Sequence, residues 1–289
     1  MFVDIIIATY NRPKILPNAL KSIQAQTYSN WRCWIAEDGK SQETLEAVSP
    51  FLQDERFIYF PGSHAGRPAV PRNRAISQGC GELITFLDDD DTWLPEKLER
   101  QVDFMRCHPN CVLLGCNAFR TGQDEAPGSE TPLYFKKKSF FGLISYERFV
   151  QQNHIILSSS MIRRSVLEKS GVFNETLSPA EDYELWLRIG ALGEIWNIPK
   201  PLVVSRDSAL ARHYPKLNRQ ENYRQRARVL EYALAGNGNI ISPLSCAENE
   251  HCAAACRYER RFYLAGPRFL GRFRHELLWK IKALWSRPL

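Results

Sequence analysis

The chain of 289 residues has no run of 18 apolar residues, so no membrane-spanning helix is expected. The first residues, Met1-Phe-Val-Asp4, lack a basic segment, and Asp4 interrupts the apolar run, so a secretory leader is not expected. The eight cysteines follow no framework spacing. That excludes a disulfide-stapled miniprotein and reads as reduced thiols in a cytoplasmic protein. Cys246, His251, Cys252 and Cys256 come nearest to a zinc set, but they form no C-x2-C knuckle pair, and a helix presenting Cys252 and Cys256 is the simpler reading. There is no internal repeat. With 44% hydrophobic and 24% charged residues, disorder, collagen and a coiled coil are excluded as the whole architecture.

What the chain does have is an uneven charge. Residues 257–289 hold nine Lys or Arg and two Asp or Glu, whereas the other residues hold 29 bases and 30 acids. The whole positive excess therefore sits in a tail that suits an anionic partner. Within it Leu270, Phe273, Leu277, Ile281, Leu284 and Trp285 recur at three or four residues, with Arg272, Arg274, Lys280 and Lys282 largely elsewhere. This is the pattern of a basic amphipathic helix on an anionic bilayer, with docking onto the catalytic body or a dimer partner as the alternative. The tail carries no nucleic-acid motif, so no nucleic-acid partner is expected.

Ahead of the tail, β-rich and helical patterns alternate. Strands are expected at 3–8, 31–36, 57–60, 83–87 and 112–117. Helices are expected at 13–26, 42–52 (capped by Ser41), 72–78, 95–107, 140–151, 164–170, 181–192 and 218–235. The alternation implies an α/β fold with a parallel sheet flanked by helices. Gly236-Asn-Gly-Asn239 marks a boundary between a domain at 1–235 and a helical extension at 236–289. Trp93, Trp186 and Trp196 read as core or cleft-wall aromatics.

Open sheets of this kind bind ligands beyond the carboxyl ends of their strands. Three polar clusters fall there: Thr9-Tyr10-Asn11, Glu37-Asp38 and Asp88-Asp89-Asp90-Asp91. Four consecutive aspartates repel one another, at roughly 4 kcal/mol per pair 4 Å apart at an effective dielectric of 20. A divalent cation would offset this, and Mg²⁺ or Mn²⁺ suits such hard oxygen ligands together with a substrate diphosphate. The alternative is a solvated acidic turn in which Asp91 or Thr92 caps the next helix. Arg72 and Arg74 are candidate cations for a diphosphate, or else form a solvated helix face. Asp182, taken alone, reads as a helix N-terminal acid beside Glu181, favoured by the helix dipole. His154, ahead of the apolar Ile155-Ile-Leu157, is a candidate cleft-wall residue, and His213 taken alone reads as a surface imidazole.

Several motifs in order carry a family resemblance. They are Ile5-Ile-Ile-Ala-Thr-Tyr-Asn-Arg-Pro13, Ser22-Ile-Gln-Ala-Gln-Thr-Tyr28, Glu37-Asp-Gly39 and Arg72-Asn73. Next come Gly81-Glu-Leu-Ile-Thr-Phe-Leu-Asp-Asp-Asp-Asp-Thr-Trp-Leu-Pro95, Gly171-Val-Phe-Asn174 and Ala180-Glu-Asp-Tyr-Glu-Leu-Trp-Leu-Arg188. Over residues 3–205 the chain resembles the family 2 glycosyltransferases of the GT-A fold. The resemblance implies inverting, metal-dependent transfer from a nucleoside-diphosphate sugar, most often a UDP-sugar, to a glycan or lipid-linked hydroxyl. With the basic tail on a membrane, a lipid-linked acceptor is natural, as in surface polysaccharide or glycolipid synthesis at the inner face of the membrane. The resemblance also makes His213 a candidate metal or diphosphate contact. It puts Ala8, Thr9, Tyr10, Asp38, Arg72, Asp88 and Asp89 at the nucleotide, Asp90 and Asp88 at Mn²⁺ or Mg²⁺, and Asp182 in the role of base. Departures are Glu37 and Lys40 around Asp38, and Asp89 where a small residue is usual. The rival readings are a nucleotidyltransferase, for which a Gly-rich loop with lysine after the first strand is missing, and an inactive membrane-associated scaffold of the same fold.

Overall fold

The computed structural model describes residues 1–122, 127–177 and 179–206. The helix expected at 218–235, the boundary at 236–239, His213, the Cys246–Cys256 set and the basic tail all lie outside the described residues.

The β-branched run VDIIIAT forms β1 (Val3–Thr9), buried along almost all its length. Such a strand is covered on both faces, as in a parallel sheet. Its one interior charge, Asp4, is offset by Arg164 at 2.7 Å, with further hydrogen bonds from Trp34 Nε1 and the Gly81 N–H. β2 (Trp31–Glu37), β3 (Phe57–Pro61) and β4 (Leu83–Asp88) complete a parallel half-sheet in the order β3-β2-β1-β4. β5 (Thr92–Trp93), β6 (Cys111–Thr121), β7 (Gly142–Ile144), β8 (Met161–Arg163) and β9 (Glu194–Arg206) form the other half. There β8 runs antiparallel to β4 and β6, while β6 and β9 are parallel. The expected parallel sheet is thus correct for four strands and mixed beyond them.

The helices cover both faces. α1 (Leu16–Gln24) buries Leu16, Ala19, Leu20 and Ile23, each large side chain contributing roughly 1.5–3 kcal/mol. It joins α2 (Gln42–Val48) on the face reached by Ile5 and Ile7. α3 (Ala69–Ile76) lies on the face reached by Ile6, where the core also takes in Trp186. α4 (Lys97–Cys107), α5 (Tyr146–Gln151), α6 (Arg164–Ser170) and α7 (Glu181–Gly190) complete the set.

Several boundaries differ from expectation for local reasons. α1 begins at Leu16, not at Pro13, and Pro17 supplies the proline of its first turn. α2 is capped by Ser41, whose hydroxyl accepts from the Thr44 N–H at 3.2 Å, and stops before Pro50. The helix expected over 140–151 is replaced by β7 and then α5. Gly142 at φ +81° breaks the helical path, and Ser145 caps the shorter helix. β9 was not expected because Pro199 and Pro201 interrupt it. The sheet absorbs them through register shifts around Asn117 on β6.

Candidate active site

The carboxyl ends of β2, β1 and β4 stand side by side, with Thr9 opposite Glu37 and Ala8 opposite both Ala36 and Asp88. All three polar clusters found in the sequence therefore meet at one end of the parallel half-sheet.

The acid run is a turn closed by the Asp91 N–H donating to the Asp88 carbonyl at 3.1 Å. Its four carboxylates go to different partners. Asp89 points inward, accepting from Thr9 Oγ1 at 2.7 Å and from Arg12 Nη1 at 2.6 Å. The same Arg12 nitrogen donates to Asp90 Oδ2 at 3.0 Å. Asp88 Oδ1 accepts from Arg72 Nη2 at 2.9 Å. Asp91 is buried and accepts from Ser158 Oγ at 2.6 Å and from the Arg206 N–H at 3.0 Å. Much of the repulsion anticipated for the run is thus answered by two arginines and three neutral donors. Burial, with the adjacent charges, still pushes Asp89 up to about 6 and Asp91 to about 8. The alternative of Asp91 or Thr92 as a helix cap is wrong. Thr92 lies in β5, and α4 starts after Glu96 with no side-chain cap.

Arg72 is buried, which overturns the solvated-face reading. Its Nη1 donates to Glu181 Oε1 at 2.7 Å while Nη2 holds Asp88, so one guanidinium spans from the end of β4 to the start of α7. Arg74 is also engaged, donating to the Glu37 carbonyl at 2.6 Å. Asp182 follows Glu181 in the first turn of α7, entered through Ala180 at φ +78°. A non-glycine residue there costs on the order of 1–3 kcal/mol, a strain that sets the direction of α7 at this cleft. Asp182 Oδ1 accepts from the Tyr183 N–H at 2.7 Å. Burial first, and the Glu181 charge second, push its carboxyl up to about 7.

Asp38 anchors the loop opposite. Its two oxygens accept from the Ala65 N–H at 2.7 Å and the Gly66 N–H at 2.8 Å, and Gly66 takes φ +71° to present its donor. His64 Nδ1 lies 3.1 Å from Asp38 Oδ2, and its ring stacks on Tyr10 with centroids 4.2 Å apart. Tyr10, His64 and Asp38 thus form one wall. His154 is buried instead, its ring between Phe140 and Phe149. Trp93 and Trp186 are core side chains, and Trp196 packs on Phe104.

Sequence reasoning assigned no role to Arg12, Glu181, Ser158, His64 or Arg206. Arg12 could have been found by asking which cation at a neighbouring strand end balances the aspartates, because it follows Thr9 by three residues. The others depend on contacts from distant segments.

A divalent cation fits this cleft through its donor chemistry. Asp88 Oδ2 and Asp90 Oδ1 receive no hydrogen bond from the described residues, because Arg72 and Arg12 hold only the opposite oxygens. Two carboxylates are what Mg²⁺ or Mn²⁺ commonly takes from protein when substrate phosphates complete its shell. Among the described residues no group of three or more His, Cys, Asp or Glu could enclose a metal alone. No helix among them is long and apolar enough to cross a membrane.

Known proteins agree with this architecture. The profile described as Glycosyl transferase family 2 matches residues 4–171. An Escherichia coli protein named UDP-Glc:alpha-D-GlcNAc-diphosphoundecaprenol beta-1,3-glucosyltransferase WfgD is 28% identical over 193 residues, 65% of this chain and 69% of that one. Against an uncharacterized glycosyltransferase of Rickettsia felis, 28% identical over 200 residues, the match covers 69% of this chain but only 32% of the relative. Among solved structures, S. aureus TarS 1-349 in complex with UDP-GlcNAc superposes with a TM-score of 0.66 at 20% identity, over 88% of this chain and 71% of that one. The mannosyltransferase PcManGT of Pyrobaculum calidifontis, in complex with GDP-Man and Mn²⁺, has a TM-score of 0.56 at 16% identity, over 98% and 86%. The fold is the GT-A-like α/β fold of these enzymes, and the chain belongs to glycosyl transferase family 2.

Proposed function

We propose that the chain transfers a sugar, with inversion, from a nucleoside-diphosphate sugar to a hydroxyl of a glycan or lipid-linked acceptor, with Asp182 as the base. The observation that carries this reading is the Arg72 bridge. It joins Asp88, at the diphosphate end of the cleft, to Glu181, the neighbour of Asp182. The bond formed is acceptor oxygen to anomeric carbon, and the bond broken is anomeric carbon to diphosphate oxygen. Attack from the side opposite the leaving diphosphate inverts the carbon, by the same geometric logic as in inverting glycosidases.

Each residue has a physical task. Tyr10 and His64 offer ring faces to the base. Asp38 still has a lone pair for a base N–H, because a carboxylate has about four acceptor sites, of which the two loop N–H groups and His64 use at most three. Thr9 and Arg12 hold Asp89 inward, so in this reading it braces the turn while Asp88 and Asp90 face the donor. Asp88 and Asp90 would hold Mn²⁺ or Mg²⁺ against the diphosphate. Bound there, the ion would stabilise the charge developing on the leaving group. Asp182, raised to about 7, is ionised near neutral pH yet more basic than an ordinary aspartate, which suits it to take the acceptor proton as the glycosidic bond forms.

UDP is the favoured nucleotide, supported by the UDP-GlcNAc held by TarS and the UDP-Glc in the name of WfgD. The lipid diphosphate acceptor in the WfgD name supports a lipid-linked acceptor in polysaccharide synthesis here too. The domain at 1–235 would carry the chemistry. The basic extension at 236–289 would rest on the anionic inner face of the membrane.

The test is turnover of UDP-sugars with a polyprenyl-diphosphate-linked sugar as acceptor, with product linkage read by NMR. An inverted glycosidic product supports the proposal. Turnover of a sugar 1-phosphate with a nucleoside triphosphate instead would assign a nucleotidyltransferase. Tight UDP binding without any transfer would assign the scaffold reading.

A further inference from the structure

Four large apolar side chains stand exposed among the described residues, and three fall in one short segment: Leu133 at 36%, Tyr134 at 46% and Leu143 at 54%, with Tyr10 at 52% the fourth. The same segment carries Lys136, Lys137 and Lys138, all exposed. Between Thr131 and Tyr146 the chain has these three lysines and no Asp or Glu. None of the three forms an ion pair among the described residues. Exposed apolar groups interleaved with uncompensated lysines make a surface with a definite complement.

The segment is held firmly. The Asn117 side chain clamps the Phe135 backbone, accepting from its N–H at 3.1 Å and donating to its carbonyl at 3.1 Å. The Phe135 ring stacks on Phe140 with centroids 4.8 Å apart, and the Tyr134 N–H donates to the Ala118 carbonyl at 2.8 Å. Phe135 is buried while its neighbours point outward, so the exposed side chains are displayed on an ordered support. Little ordering entropy is left to lose on contact. The segment runs beside the carboxyl end of β6, where Thr121 pairs with Arg206, and the Arg206 N–H holds Asp91. The stretch from Leu133 to Phe135 therefore stands at the same end of the sheet as the acid run, whereas Leu143 lies opposite Trp196, level with Leu114 of β6.

We propose that residues 133–138 form a docking surface for an anionic bilayer. Lys136, Lys137 and Lys138 meet lipid phosphates, and Leu133 and Tyr134 enter the headgroup–acyl boundary. This contact is separate from the basic C-terminal region and does not depend on the transfer chemistry.

The experiment uses the full chain and flotation on vesicles of phosphatidylcholine, with or without phosphatidylglycerol. The wild type is expected to float with the anionic vesicles and not the neutral ones. In the combined variant Lys136→Gln, Lys137→Gln, Lys138→Gln, affinity is expected to fall about fivefold per lysine, roughly a hundredfold in all. Leu133→Ser with Tyr134→Ser should also weaken binding while leaving thermal unfolding unchanged. Hydrogen exchange separates this segment from the tail, since amides within 131–146 should gain protection on anionic vesicles. The proposal is overturned if the wild type floats with neither vesicle, if the lysine variant floats as well as the wild type, or if protection appears only elsewhere. Concentration-dependent self-association that the lysine variant loses, without vesicle binding, would assign the surface to a second copy of the chain. Because no turnover is measured, failure here is distinct from failure of the transfer reading.

Discussion

Arg72 donates to Glu181 through Nη1 at 2.7 Å, and this contact ties the amino end of α7 to the strand ends. The guanidinium is buried and its other nitrogen holds Asp88, so its removal strands two carboxylates. Breaking a buried pair from one side typically costs about 3–5 kcal/mol. Arg72→Ala should lose stability in that range by urea unfolding. Arg72→Lys, which keeps the charge but not the two-pronged geometry, should lose less. A loss below about 1 kcal/mol for Arg72→Ala would mean that the bridge is not holding the site together.

Asp182→Asn separates binding from chemistry. UDP affinity should stay near that of the wild type, while turnover falls by about 10²- to 10⁴-fold, the usual contribution of a positioned base. Equal turnover in the variant and the wild type would remove Asp182 from the role.

The pH profile follows from the same group. Asp182 must be ionised to accept a proton, and burial beside Glu181 raises it to about 7. kcat/KM should therefore rise with pH through about 7 and level off above it. The residual rate of Asp182→Asn should lack that inflection. A wild-type profile flat from pH 5.5 to 8 would contradict the assignment.

Asp89 and Asp90 are neighbours with opposite expected phenotypes. Asp89 is bound by Thr9 and Arg12 inside the turn, so Asp89→Asn should lower the unfolding midpoint yet leave nucleotide binding responsive to Mn²⁺. Asp90→Ala should keep the fold and lose the Mn²⁺ response. The comparison is read by differential scanning fluorimetry with UDP and Mn²⁺, and the reverse pattern would exchange their roles.

Stability should also depend on pH in a definite sense. Asp91 and Asp182 are raised to about 8 and about 7 in the folded chain, from an ordinary aspartate value of 3.8. Between roughly pH 5 and 8 the folded state holds protons that the unfolded state has released, so stability falls as pH rises. The unfolding midpoint should be higher at pH 6 than at pH 8, and Asp91→Asn should reduce that difference. A midpoint that climbs across this window would contradict the burial of these carboxyls.

The parallel half of the fold was legible because its strands are short, mostly apolar runs that alternate with helical periods. Thr9, Asp38 and Asp88 could be placed at strand ends for the same reason. The mixed half was not legible. β5 and β8 are too short to show a period, and β9 carries two prolines that argue against a strand until β6 shifts register to fit them. The aspartate run was legible as a strand-end cluster, but its electrostatics were not, because Arg12, Arg72, Ser158 and Arg206 arrive from four separate segments. Arg72 was misjudged as a possible solvated face because helical spacing alone cannot show that its side chain lies between Asp88 and Glu181, over the Phe173 ring.

The most direct test of a metal-assisted donor site is a thermal-shift screen of UDP, GDP, dTDP and CMP, each with and without Mn²⁺, on the wild type and Asp90→Ala. One-site binding at a hundredfold excess over Kd adds about 2.7 kcal/mol, a readily observed shift. The account predicts a Mn²⁺-dependent shift with a nucleoside diphosphate, UDP foremost, that Asp90→Ala abolishes. A shift independent of Mn²⁺ and intact in Asp90→Ala, or no shift with any nucleotide, would contradict it.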